Sequence, residues 1–172
     1  MSDIDKKIRN YLIIVKPFWI VVFTSVFLLL LELSLIFFSH LLSIPQGSNL
    51  PLILPQSLLE QVLLVIIAIL SMFIIAPIAE TFIFQYLFYE GMCVKYKLNK
   101  WSFIFFSAAI FGLVHYNYLS TIIITFIICF GFNYLYAIMS EVNRKNRFAI
   151  ICFIHSLLNI SVVILKYLPH YL

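Results

Sequence analysis

The sequence predicts an all-α protein, a polytopic transmembrane helix bundle with five spans or, as the alternative, six. Three observations predict it. Apolar residues make up 64% of the 172-residue chain and charged residues only 10%, against about 25% charged in soluble domains. Mean hydropathy is +1.10. Apolar runs long enough to cross a bilayer core of about 30 Å, roughly 20 helical residues, recur along the chain, so one cleaved signal segment cannot account for the composition.

The first span is expected from Phe18 to Leu42, behind a basic N-terminal tail carrying Lys6, Lys7, Arg9 and Lys16. A loop follows, because Pro45, Gly47, Pro51 and Pro55 crowd residues 43–55. Apolar character then runs from Leu58 to Lys95 with Pro77 inside. That is about 57 Å of straight helix, read as either two spans or one over-long element bent near Pro77. Further helices are expected over Trp101 to His115, Thr121 to Met139 and Phe148 to Leu168, the last stopped by Pro169. Residues 1–172 thus form one membrane domain: 1–54 hold the tail, first span and loop, and 55–168 the core.

Charge arbitrates the topology. Lys and Arg cluster at 6–16, 95–100 and 144–147. Placing all three clusters on the cytoplasmic side requires Leu58 to Lys95 to cross once, giving five crossings and a cytoplasmic N-terminus. The clusters flank apolar runs and form no basic face on a soluble module, so nucleic acid is not an expected partner. Cys93, Cys129 and Cys152 have neither paired nor zinc-type spacing and read as inert buried thiols.

Polar residues inside the apolar helices mark the functional candidates. Glu80, His115, His155 and Asn159 lie about 22, 21, 12 and 18 Å from the basic ends of their helices, one shared band. His155 and Asn159, four apart, share a helix face. A carboxylate and an imidazole can hold and activate a water, while a second His and an Asn stabilise an oxyanion. Glu80, His115 and His155 would equally serve as ligands for a divalent metal such as zinc. The plainer readings are that His115 is a packing residue and that His155 with Asn159 is interhelical glue. The residues alone divide the function between enzyme and transporter, and a transporter would more often show internal repeats. Glu32 could line the cavity or pair with His40 or Lys16. Glu60 is read as a solvated helix start, Glu90 as an interfacial residue near Lys95, and Tyr116, Tyr118, Tyr167 and Tyr171 as interfacial anchors.

"APIAETFIFQ", "FSAAIFGLVHY" and "CFIHSLLN", in this order, resemble the three motifs of the CPBP family. These are the CAAX-protease and bacteriocin-processing intramembrane proteases, also called the Abi or type II CAAX prenyl endopeptidase family. The resemblance covers roughly Pro55 to Leu168. It implies an intramembrane endopeptidase, often labelled a metalloprotease, acting on a membrane-associated peptide or protein in a prokaryotic plasma membrane. It implies Glu80 as general base, His115 as water ligand, and His155 and Asn159 as the oxyanion side, with Phe111 opening the second motif. The family's second Glu and its Arg are replaced here by Thr81 and Gln85, which are four apart and could pair through a neutral hydrogen bond. That departure keeps open a non-catalytic scaffold or bacteriocin-immunity protein on the same fold.

Overall fold

The computed structural model describes residues 3–41, 57–116, 118–142 and 145–167, without the side chains of 18, 31–32, 35–41 and 165–167. The loop at 43–55, the stop at Pro169 and the side chains of Glu32, His40, Tyr167 and Tyr171 lie outside the described residues. Among the described residues there are six helices: α1 (Asp3–Ile14), α2 (Pro17–Leu41), α3 (Leu58–Lys95), α4 (Lys100–Val114), α5 (Leu119–Glu141) and α6 (Arg147–Tyr167). Among the described residues, α3, α5 and the Arg147–Ile164 part of α6 are long and apolar enough to cross a membrane, and Trp19–Leu30 and α4 are shorter apolar helices. The protein is an integral, multi-pass membrane protein.

α3 is one continuous helix of 38 residues rather than two spans. Ser57 caps its start, accepting a hydrogen bond from the Glu60 backbone N–H at 3.3 Å, and Glu60 is exposed in the first turn. Pro77 does not break it, because the helix widens on both sides into π-helical turns at Ser71–Ile75 and Thr81–Leu87. A proline ring clashes with the carbonyl four residues back and offers no N–H, and a wider turn relieves that crowding. A third wide stretch, Glu90–Lys95, leads into a turn where Lys97 takes φ 52°.

α4 and α5 form a tight hairpin. A Cβ on Gly112 would sit 2.9 Å from the Ile122 carbonyl oxygen, so only glycine permits this approach. The core lies between α2, α4, α5 and α6, with Phe103, Ile104, Phe132, Tyr136, Ile151 and Ile154 fully or nearly fully buried. In lipid such packing is held by van der Waals contact and interhelical hydrogen bonds, since hydrocarbon solvates a leucine as well as a protein does.

The segment expected as a tail is the helix α1. Its Asp5, Ile8, Arg9 and Leu12 fall on one side at helical spacing, and Asp5 and Leu12 are buried. The Asp5 carboxylate accepts from the Tyr134 hydroxyl at 2.7 Å and from Lys100 Nζ at 3.1 Å. Arg9 reaches Glu141 at 2.7 Å and Lys100 reaches it at 3.4 Å. Glu90, expected as an interfacial residue near Lys95, lies 3.9 Å from Arg147. These contacts bring residues of all three basic clusters to one end of the bundle, around the α3–α4 turn and the α5–α6 connection.

Candidate active site

Glu80 is on α3, one turn past Pro77; His115 ends α4; His155 and Asn159 are on α6. Together with Phe111, Thr125, Ile128, Phe132 and Leu158 they line one cavity of about 220 Å³. Sequence reasoning proposed these four polar residues as one site, and the fold brings all four to one cavity.

The carboxylate and the second imidazole are close: Glu80 Oε2 lies 3.3 Å from His155 Nε2. The His155 ring is buried, its centroid 5.2 Å from that of the Phe132 ring at a tilt of 42°, and its Nδ1 has no partner among the described residues. His115 is held differently. Its Nδ1 lies 2.8 Å from the Phe111 carbonyl oxygen. A carbonyl only accepts, so Nδ1 carries the proton, and in the neutral ring Nε2 keeps its lone pair. The Phe111 ring packs 4.5 Å from His115 and 6.5 Å from His155, between the two imidazoles.

Asn159 is placed by a consequence of Pro77. In the wide turn at Ser71–Ile75 the Ala76 N–H bonds to the Ser71 carbonyl, five residues back, and not to Met72. The next candidate donor is Pro77, which has none. The Met72 carbonyl therefore lacks both of its helical donors, and Asn159 Nδ2 donates to it at 2.9 Å. An unpaired carbonyl in an apolar site is costly, so this bond fixes which end of the amide is the nitrogen. One N–H of that nitrogen remains. The second wide turn behaves alike: the Phe88 N–H goes to Ile83 and Gln85, and the Phe84 carbonyl accepts from the Ser107 hydroxyl.

Thr81 and Gln85 do not line the cavity and do not pair with each other, contrary to expectation. Both are buried. Thr81 Oγ1 has no hydrogen-bond partner among the described residues, whereas Gln85 Nε2 donates to Asn133 Oδ1 at 2.8 Å. Asn133 Nδ2 in turn donates to the Ile104 carbonyl at 3.2 Å, tying α3, α5 and α4 together. Asn133 was missed by sequence reasoning, although a lone amide in "CFGFNYLY" was the signal. Thr125, Ile128 and Phe132 were also missed, since on an apolar helix nothing local tells which face meets a cavity.

Among the described residues no three His, Cys, Asp or Glu side chains are grouped so that they could hold a metal ion. Cys129 is buried and Cys93 and Cys152 are partly buried, all as free thiols.

Fold and site together define a multi-pass α-helical membrane protein with a carboxylate and two imidazoles enclosed in its bundle. The family described as type II CAAX prenyl endopeptidase Rce1-like matches residues 61–161. The chain belongs to this family, and membrane-associated endopeptidase is the general activity that the match supports. No curated protein and no solved structure gives a significant match.

Proposed function

We propose that the protein is an intramembrane endopeptidase that cleaves a membrane-tethered peptide or protein through a water activated by Glu80. The observation that carries this is the convergence of Glu80, His115, His155 and Asn159 on one cavity in an otherwise apolar bundle. In this reading the water sits between Glu80 and the lone pair-bearing His115 Nε2. Glu80 takes its proton as the oxygen attacks the scissile carbonyl carbon. The oxyanion is met by an N–H of His155 and by the remaining N–H of Asn159. As the C–N bond breaks, Glu80 returns the proton to the departing amine. Met72 and Pro77 serve as positioning residues for Asn159, and Phe111 for His115.

The Gln85–Asn133 amide pair supplies a neutral hold where the family pattern has charge, which suits a retained and working scaffold. The bundle crosses five times in this reading, with the N-terminus cytoplasmic and the surplus length of α3 taken up by tilt. Purified Glu80→Gln, shown to insert and unfold like the parent, is expected to lose cleavage of membrane-anchored peptides. Full activity in that variant would sink the mechanism. A biological effect that survives without any cleavage would favour a scaffold or immunity role instead.

A further inference from the structure

The two ends of the bundle differ in charge and in packing, and both differences bear on how the cavity is reached. Every Lys and Arg except Lys166 belongs to the three basic clusters. Contacts among Asp5, Arg9, Lys100, Glu141, Glu90 and Arg147 bring those clusters to one end. The opposite end carries the α4–α5 turn, whose residues 116–120 hold no charge. A positive bias this one-sided places the clustered end in the cytoplasm.

The cavity starts near mid-bundle and extends into the other half. Counted along the helices from the basic end, His155 and Phe132 lie about 12–14 Å up, whereas Glu80, His115 and Thr125 lie about 22–24 Å up. Exposure follows the same gradient. The His155 side chain, nearest the basic end, is 9% exposed, and that of Glu80 is 28% exposed. His115 is half-buried, and the next residue, Tyr116, is 76% exposed. Beneath the cavity the bundle is closed. Gln85 and Asn133 bridge three helices there, and Tyr136, Ile138 and Ile151, at 0% exposure, fill the space toward the basic end.

We infer that the cavity is entered from the non-cytoplasmic face of the membrane, past His115 and Thr125. Together with the peptidase reading, on which this part rests, that assigns a substrate class: segments whose scissile bond lies in the non-cytoplasmic half of the bilayer or just beyond it, such as exported peptides still tethered by an apolar stretch. A bond presented at the cytoplasmic surface would have to pass the closed, charged end.

The test is thiol labelling of the full chain in intact bacterial cells. Cys93, Cys129 and Cys152 are first replaced by alanine, and single cysteines are then introduced as Thr125→Cys in the cavity, Tyr116→Cys beside it and Lys145→Cys at the basic end. A charged, membrane-impermeant methanethiosulfonate is the probe. Thr125→Cys and Tyr116→Cys are expected to be modified in intact cells, and Lys145→Cys only after permeabilisation. Modification of Lys145→Cys in intact cells with Tyr116→Cys protected overturns the orientation. Modification of Tyr116→Cys with Thr125→Cys untouched overturns the entry route. Tyr116 is 76% exposed, so Tyr116→Cys keeps the orientation testable even if the cavity variant fails to fold. Labelling does not depend on proteolysis: a Glu80→Gln variant that still cleaves would remove the peptidase reading and leave the entry result standing.

Discussion

The basic end of the bundle and the cavity end are built on different principles. At the basic end, α1, the α3–α4 turn and the α5–α6 connection are tied by ion pairs, and the side chains behind them are packed shut. At the cavity end, Leu58–Leu70 has no buried residue at all, and the neighbouring wide turn leaves a backbone carbonyl for a side chain to fill. Polar groups at the first end hold helices together, while those at the second line a space. The comparison teaches that a small membrane protein can keep its rigidity in one half and leave the other half room for chemistry. Substitutions in the two halves should therefore separate stability from activity.

The largest separation is expected at Glu80. Replacing it with Gln keeps the size and removes the base, so the cleavage rate should fall by about 10²–10⁴-fold with the thermal midpoint nearly unchanged. Single-turnover rates beside thermal unfolding in detergent measure both. Asn159→Ala comes next. Losing one oxyanion donor is expected to lower kcat by about 10²–10³-fold, and the orphaned Met72 carbonyl adds a modest stability loss. If Asn159→Ala shifted only the midpoint, the amide would belong with the structural half.

At Asn133 the expectation reverses. Asn133→Leu strands the buried Gln85 amide and should cost about 1–3 kcal/mol, the lower part of that range being usual between membrane helices. The double variant Gln85→Leu with Asn133→Leu should recover much of the loss, because removing both partners leaves no stranded group. A double variant as damaged as the sum of the two singles would show that the pair does not act as a unit.

These contrasts also mark what the sequence could show. Membrane class, the order of α2 to α6 and the four cavity residues were legible, because carboxylate and imidazole groups stand out against an apolar background and each motif lies within one helix. The partner of Gln85 was not legible. Thr81 is four residues away on the same helix and looked like the natural partner, but a helix face says nothing about which neighbour covers it, and Asn133 is 48 residues distant. The helical nature of α1 was hidden for the same reason: Asp5 has its partners in Lys100 and Tyr134, and without them the segment reads as flanking charge. The wide turns around Pro77 depend on backbone geometry, which proline signals only as a disturbance.

Asp5 allows the basic end to be probed by pH. The Tyr134 hydroxyl, and then Lys100, hold its carboxyl below the usual carboxylate range. A carboxyl whose folded pKa is depressed contributes stability that is present above its unfolded pKa, about 3.9, and is lost as pH falls through the folded value. Asp5→Asn should therefore lower the thermal midpoint near neutral pH, and the gap to the parent should close as the pH is taken below 4. Cleavage per folded molecule should stay as it was.

Lys97 offers the smallest effect and the strictest form of the comparison. It holds φ 52° in the α3–α4 turn, where the Leu98 N–H closes onto the Met92 carbonyl at 2.8 Å. This is the place at a helix end where glycine is favoured, and a residue with a Cβ is strained there by about 1–2 kcal/mol. Lys97→Gly relieves the strain but gives the unfolded chain more freedom, so a net gain of about 0.5–1 kcal/mol is expected. The lysine is exposed and no salt bridge is seen for it among the described residues, so little else is lost. The turn lies at the far end of α3 from Met72 and Pro77, and kcat and KM should not move. A Lys97→Gly variant that gained stability and lost activity would mean that strain at the basic end is transmitted along α3 to Glu80, and the two halves would then be one mechanical unit.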